Sequence, residues 1–304
     1  MSETNPFIKS IRESAGIRLF VLFGAFFILL LFSSVISTII AEFPLGDART
    51  HALCSSLLQC LLAFCLPAYI LARFSSNNWE RWLKLTKGPS IKSIIGVIIV
   101  YILSLPAMEW LIEWNSNIHL PESMSALEQT LRNWEDANTA VSNLLLDAHG
   151  FLPVLFGILV IGVLTGFSEE LFFRGGLQGI FSRSSLGIGA SVWVAAIIFS
   201  AMHFQFFGFL PRLLMGVFFG YLLVWTKSIW VPIFAHVLNN SVVVITSAIT
   251  GGAESSLIDI TESSLYLGNS FMVIGSVALT SLFLILCREF FFKTQKKKRS
   301  LVFT

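Results

Sequence analysis

Long uninterrupted runs of apolar residues are the feature that most constrains this chain. A helix that crosses a bilayer needs about 20 largely apolar residues, and eight segments approach or reach that length. Charged residues are only 12% of the chain, about half of the usual share in soluble domains. The sequence therefore predicts an all-α membrane protein, an eight-helix polytopic bundle. The predicted spans are Leu19–Ala41, Leu53–Ala72, Ile91–Ile112, Leu152 to beyond Arg174, Leu186–Phe204, Pro211–Thr226, Ile229–Ile249 and Asn269–Phe292.

The charges between the predicted spans indicate how the chain is oriented. Basic residues concentrate before the first span, after the second, between the sixth and seventh, and after the eighth, whereas the segments after the first, third and seventh spans are mostly acidic. Positive charge marks the cytoplasmic side, so both termini are predicted to be cytoplasmic. The net charge of only +2 favours no nucleic-acid partner. The basic residues include Lys9, Arg12, Arg18, Arg73, Arg81, Lys84, Lys87, Lys92, Lys227, Lys293, Lys296, Lys297, Lys298 and Arg299.

The longest connecting segment, Glu113–Gly150, lies on the predicted outer side. Pro121 and a Ser125-x-x-Glu128 capping box indicate that a helix begins there. Apolar residues then recur at helical spacing, so we expect an amphipathic helix on the outer face or docked over the bundle. A solvated linker is the alternative. Within the third span, Pro106 predicts a kink.

Two adjacent carboxylates interrupt the fourth predicted span. One acidic residue at the centre of a membrane helix costs about 2.5–3.5 kcal/mol. Adjacent helical residues point about 100° apart, so Glu169 and Glu170 are predicted to face different partners. Arg174 lies four residues beyond Glu170, the favourable order for an ion pair. Glu169 is then left to face a cavity, unless both acids only hold helices together.

A histidine in the fifth span is expected at the depth of Glu169. The turn Arg183–Gly187 should join two antiparallel helices, and residue 186 is the midpoint of positions 169 and 203. Equal rise along both helices then brings His203 level with Glu169. A carboxylate that faces an imidazole in a dry site can activate a water molecule.

The seventh span adds His236 and Asn240, which share one helix face because they are four residues apart. Two such donors suit an oxyanion hole, although hydrogen bonds between helices are the simpler explanation. The sequence has no His-Glu-x-x-His and no Gly-x-Ser-x-Gly. A zinc site built from Glu169, His203 and His236 stays open as a variant mechanism, but no metal or cofactor is predicted.

Together, the three segments resemble the CPBP family, the type II CAAX prenyl proteases and their bacterial relatives. The family pattern stands here as Glu169-Glu170-Leu-Phe-Phe-Arg174, Phe199-Ser-Ala-Met-His203 and His236-Val-Leu-Asn-Asn240. The resemblance implies a glutamate-dependent endopeptidase. It assigns the general base to Glu169, its partner to His203, the oxyanion donors to His236 and Asn240, and an orienting role to Glu170 and Arg174.

These observations divide the chain into three regions. Residues 1–151 are expected to hold three spans and the outer segment, 152–250 the catalytic core, and 251–304 the last span and basic tail. The expected substrate is a membrane-associated, possibly CAAX-like peptide, and the expected location is a bacterial inner membrane. A non-catalytic binding or immunity protein and a proton-coupled transporter are the alternatives, because intramembrane Glu, His and Arg also mark proton pathways.

Overall fold

The computed structural model describes residues 10–11, 14–44, 46–250 and 270–292. Within these ranges the chain is helical and has no strand, which confirms the predicted all-α membrane fold. The described residues form nine main helices, in chain order α1 (Ala15–Ala41), α2 (Ala48–Ser75), α3 (Ile91–Ser116), α4 (Ser125–Leu146), α5 (Phe151–Phe181), α6 (Ile188–Ala201), α7 (Phe209–Thr226), α8 (Trp230–Thr250) and α9 (Ser270–Phe292).

Helix α6 is shorter than the sequence predicts. Seven helices of the described part are long and apolar enough to cross a membrane, whereas α6 has 14 residues. It begins after Gly187, which has a positive φ of 82°, and ends at Ala201, so it rises only about 21 Å. The predicted span to Phe204 is wrong at this end, because the chain turns before His203. The basic tail 293–299, Lys9 and Arg12 lie outside the described residues.

The loops predicted to be cytoplasmic meet at one end of the bundle. The Lys84 carbonyl accepts a hydrogen bond from the Ile229 N–H at 3.3 Å. Lys87 Nζ donates to the Thr226 carbonyl at 2.5 Å, and Arg183 donates to the backbone of the loop that follows α2. The loops that follow α2, α5 and α7 therefore share one end, as the predicted orientation requires.

The predicted amphipathic helix of the outer segment is α4, and it docks over the turn between α6 and α7. Glu135 Oε2 accepts from the Phe207 N–H at 2.9 Å, and the Arg132 guanidinium lies 3.8 Å from the centre of the Phe207 ring. The predicted capping box is absent. Glu128 instead accepts from the Leu120 N–H at 2.8 Å, because the chain before α4 folds back over its first turn.

A serine of α9 compensates for the proline inside α3. Ser276 Oγ accepts from the Ala107 N–H at 3.2 Å and donates to the Leu103 carbonyl at 2.6 Å. It therefore lies between two backbone groups that would bond each other in a regular helix. Membrane helices tolerate Pro where a neighbouring side chain supplies such partners, so Ser276 both satisfies the Pro106 region and joins α3 to α9.

Two pairs of glycines bring the central helices close together. Gly162 and Gly166 of α5 lie against α8, where a Cβ at Gly166 would come within 3.1 Å of the Val237 backbone nitrogen. Gly216 and Gly220 of α7 lie against α6, where a Cβ at Gly220 would meet Val192 at 2.8 Å. Both pairs are Gly-x-x-x-Gly, the spacing that lets membrane helices pack at close range.

Replacing Ser276 by Ala should destabilise the bundle by about 0.6–2 kcal/mol, the worth of hydrogen bonds between membrane helices. The cost should shrink in a Pro106→Ala background, where Ala107 can bond Leu103 directly. Reversible unfolding of the two single variants and the double variant in detergent measures this coupling. Ser104→Ala is the control, because Ser104 donates only within its own helix. Equal losses in both backgrounds would show that Ser276 does not act through the proline.

Replacing Gly166 by Ala should cost about 1–3 kcal/mol, because the new methyl group forces α5 and α8 apart. The matched control is Gly24→Ala in α1, where a Cβ would meet nothing within 4 Å. That variant should be neutral or slightly stabilising, since Ala favours a helix over Gly. Thermal unfolding of both variants in one detergent makes the comparison. A Gly166→Ala protein as stable as the Gly24→Ala protein would contradict the close approach.

Candidate active site

Four charged or titratable side chains form a continuous row between α5 and α8. Arg174 Nη1 donates to Glu170 Oε1 at 2.7 Å. The same Glu170 oxygen lies 2.9 Å from His236 Nδ1, and His236 Nε2 lies 3.8 Å from Glu169 Oε2. The row therefore runs from Arg174 through Glu170 and His236 to Glu169. It joins the first sequence motif to the third.

The expectation that the two glutamates face different partners is wrong. An imidazole has nitrogens on two edges, so His236 contacts Glu170 with one edge and faces Glu169 with the other. The helix geometry also departs from a regular α-helix here. Wider π-helical turns at Ile158–Leu164 and Leu171–Leu177 flank the segment that carries both acids, and such turns are frequent at functional sites.

Arg174 is buried, with 1% of its side chain exposed. Besides Glu170, it donates through Nη2 to the Gly216 carbonyl of α7 at 3.1 Å. Its guanidinium also lies 4.5 Å from the centre of the Phe199 ring of α6 and 5.4 Å from that of Phe219. Arg174 thus joins α5, α6 and α7, and the predicted pairing of Glu170 with Arg174 is observed.

The two glutamates differ in their access to solvent. The Glu170 side chain is fully buried, whereas 13% of the Glu169 side chain and 7% of the His236 side chain are exposed. The 3.8 Å gap between His236 and Glu169 is too long for a hydrogen bond. Glu169 therefore keeps acceptor capacity on a side that a water molecule or a substrate can reach, whereas Glu170 is fully buried and its Oε1 is engaged by two neighbours.

His203 lies just beyond the end of α6, with one ring nitrogen fixed. His203 Nδ1 is 2.8 Å from the Phe199 carbonyl. A carbonyl oxygen only accepts, so Nδ1 carries the proton and the neutral ring offers the lone pair of Nε2. The Phe199 ring lies between the two histidines, with its centre 5.0 Å from that of His203 and 6.0 Å from that of His236.

Asn240 is bound to the backbone of α5. Its Nδ2 donates to the Ile161 carbonyl at 3.1 Å, and its Oδ1 accepts from Asn239 at 3.2 Å. Four residues separate it from His236, which is about 6 Å along the helix. One of the two amide hydrogens is thus used between helices, and the role of Asn240 as an oxyanion donor stays a prediction.

Several residues of the site lie outside the three sequence motifs. Phe219 stacks on His236 with ring centres 5.2 Å apart, and nothing distinguishes it in sequence from the other phenylalanines of α7. The glycine pairs that position α5 and α7 were recognisable from their spacing. Among the residues that the structure describes, no three His, Cys, Asp or Glu side chains are grouped as metal ligands.

Comparisons with known proteins match part of the chain. A family model described as "Type II CAAX prenyl endopeptidase Rce1-like" matches residues 151–242. "Putative membrane peptidase YdiL" of Bacillus subtilis (strain 168) is 33% identical over 101 residues, which is 33% of this chain and 40% of that protein. "Uncharacterized protein YpbD" of the same organism is 30% identical over 89 residues, 28% of this chain and 42% of that protein.

The chain therefore covers less than half the length of these two relatives. No solved structure matches it. The family model nevertheless spans the three motifs, together with the helices that place them side by side. Over residues 151–242, this multi-pass membrane protein is similar to the Rce1-like family of type II CAAX prenyl endopeptidases.

Proposed function

We propose that the chain is a glutamate-dependent intramembrane endopeptidase that cleaves a membrane-associated peptide. One observation carries the proposal: Glu169 is partly exposed, yet it lies 3.8 Å from a histidine whose other nitrogen is bound to a fully buried Glu170. A free carboxylate beside a fixed imidazole has the geometry of a general base with a positioned partner. The match to an endopeptidase family gives the reaction type.

In the proposed reaction, the Glu169 carboxylate accepts a proton from a water molecule. The water oxygen bonds to the carbonyl carbon of the substrate, and the π electrons of the carbonyl move to its oxygen. When this tetrahedral intermediate collapses, the C–N bond breaks and the proton on Glu169 passes to the departing amine. His203 assists Glu169 in the proton transfers, His236 and Asn240 are the expected donors to the oxyanion, and Glu170 and Arg174 hold His236 in place.

The proposed substrate is a peptide held at the membrane. Apolar side chains dominate the lipid-facing surfaces of α1, α5 and α9, so a substrate reaches Glu169 most readily from the bilayer or its surface. The relative described as a putative membrane peptidase of Bacillus subtilis supports a location in a bacterial cell membrane. A CAAX-like, prenylated C-terminus is one class of substrate to compare with unprenylated peptides of the same sequence.

Glu169→Gln should abolish cleavage and leave the fold intact, because it removes the base without disturbing the buried row. Glu170→Gln should instead reduce the free energy of unfolding by about 3–5 kcal/mol, since it leaves the buried Arg174 charge without its partner. Both properties are measured on purified protein in nanodiscs, with membrane-anchored fluorogenic peptides as substrates.

The control for this pair is Glu113→Gln, which removes an exposed carboxylate at the end of α3. It should cleave and unfold like the wild type. Wild-type activity in Glu169→Gln would refute the assignment of the base. An activity or effect on a host cell that survives this change would favour the non-catalytic binding role instead.

Activity should persist after the purified protein is dialysed against a strong chelator. A buried carboxylate that activates water needs no metal ion, whereas a zinc-bound water would supply the nucleophile if Glu169, His203 and His236 held the metal. The measurement is the cleavage rate before and after chelation, with bound metal quantified. Activity that disappears and returns with one equivalent of zinc would replace the glutamate mechanism with a metal mechanism at the same residues.

A further inference from the structure

Arg212, near the start of α7, is a cation that belongs to none of the three motifs. Its Nη2 donates to Gln205 Oε1 at 2.7 Å. Its Nη1 is buried and has no hydrogen-bond partner within the ranges that the structure describes. Buried polar groups are nearly always hydrogen-bonded in folded proteins. An unused donor on a permanently charged group therefore indicates that a further acceptor belongs at this position.

Arg212 lies beside the turn that follows His203. Gln205, which accepts the hydrogen bond from Nη2, is two residues past His203 in the sequence. Glu135 accepts the Phe207 N–H at 2.9 Å, which fixes the same turn. Arg212 is thus bound to the segment that carries His203, the proposed partner of Glu169.

The backbone over Arg212 leaves room for its planar head group. A Cβ at Gly208 would lie 3.2 Å from Nη2 and 3.4 Å from Nη1, closer than most side chains approach. The absence of a side chain at Gly208 makes room for the guanidinium, and the hydrogen bond that Arg212 donates to Gln205 holds it in one place. A donor that is already fixed needs no reorganisation when a negative charge forms nearby.

The groups expected to bind the oxyanion are partly engaged in the structure. His236 Nδ1 bonds Glu170, and Asn240 uses one amide hydrogen on the Ile161 carbonyl. We infer that Arg212 is a further catalytic residue, whose Nη1 donates a hydrogen bond to the oxyanion formed on the substrate carbonyl. This inference rests on the proposed function, since it names the group that stabilises the same tetrahedral intermediate.

The chemical role of Arg212 involves no proton transfer. As the water oxygen bonds to carbon, the carbonyl oxygen gains the negative charge, and the guanidinium N–H and its positive charge stabilise it. When the C–N bond breaks, the carbonyl re-forms and Arg212 returns to its initial state. Arg212 therefore stabilises the transition state much more than the bound substrate.

The first test compares the cleavage kinetics of wild type, Arg212→Gln and Arg212→Lys in nanodiscs of phosphatidylethanolamine and phosphatidylglycerol. Arg212→Gln should lower kcat by about 100–1000-fold, as loss of one oxyanion donor does elsewhere, with little change in KM. Arg212→Lys should recover part of the loss because it keeps the charge. The control is Arg49→Gln, whose guanidinium bonds only the Leu145 and Pro153 carbonyls, and its kcat should equal that of wild type.

The second test measures binding and does not depend on turnover. The probe is an acyl-anchored, C-terminally amidated tetrapeptide in which a phosphinate replaces one peptide bond, so that the phosphinate is its sole anion. The reference is the same peptide with an ordinary amide. Wild type should bind the phosphinate at least about tenfold more tightly than the amide, and Arg212→Gln should lose this preference while Arg212→Lys keeps part of it.

These outcomes separate the inference from the proposed function. Cleavage by wild type and Arg212→Gln at the same kcat would overturn the role of Arg212 and leave Glu169 as the base. Equal cleavage by wild type and Glu169→Gln would overturn the proposed function. If no peptide is cleaved, the binding test still decides, since a phosphinate preference that is absent, or that survives Arg212→Gln, overturns the inference.

Discussion

The buried ion pair between Arg174 and Glu170 is the interaction on which the rest of the site depends. Removing two opposite charges from water costs several kcal/mol for each ion, and only close geometry with additional hydrogen bonds compensates for it. Here the Arg174 guanidinium also bonds the Gly216 carbonyl and lies over the Phe199 ring. The same Glu170 oxygen then fixes one nitrogen of His236. The pair therefore determines where the imidazole stands.

The contacts of the ion pair with α7 and α8 require the helix backbones to approach closely. Gly162 and Gly166 remove the side chains that would separate α5 from α8, and Gly216 exposes its carbonyl to Arg174. Helix association in a membrane gains little from the hydrophobic effect, since lipid is as apolar as the helix surface. Close packing and internal hydrogen bonds must supply the stability instead, and here both are concentrated around the polar row.

Much of this arrangement could be predicted from sequence, and the failures have physical causes. The helices follow from apolar length, and the pairing of Glu170 with Arg174 follows from their spacing. The position of His236 between both glutamates could not be predicted. The assumption of 100° between adjacent residues leaves out the π-helical turns and the fact that an imidazole has a nitrogen on each of two edges. The role of Arg212 could not be predicted either, because its position beside the turn that follows His203 depends on how α7 packs and not on spacing within a motif.

The short helix α6 has a consequence for the membrane around the site. Its 14 residues rise about 9 Å less than the roughly 30 Å thickness of the hydrocarbon core. Irregular backbone after α6 spans the remaining depth. Side chains of neighbouring helices bind its N–H groups, since Asn115 accepts the Leu210 N–H and Glu135 accepts the Phe207 N–H. Non-helical backbone is stable at such depth only inside protein or beside a water-filled cavity. We therefore expect the water that hydrolysis consumes to reach Glu169 from the outer surface, beside the irregular backbone that follows α6.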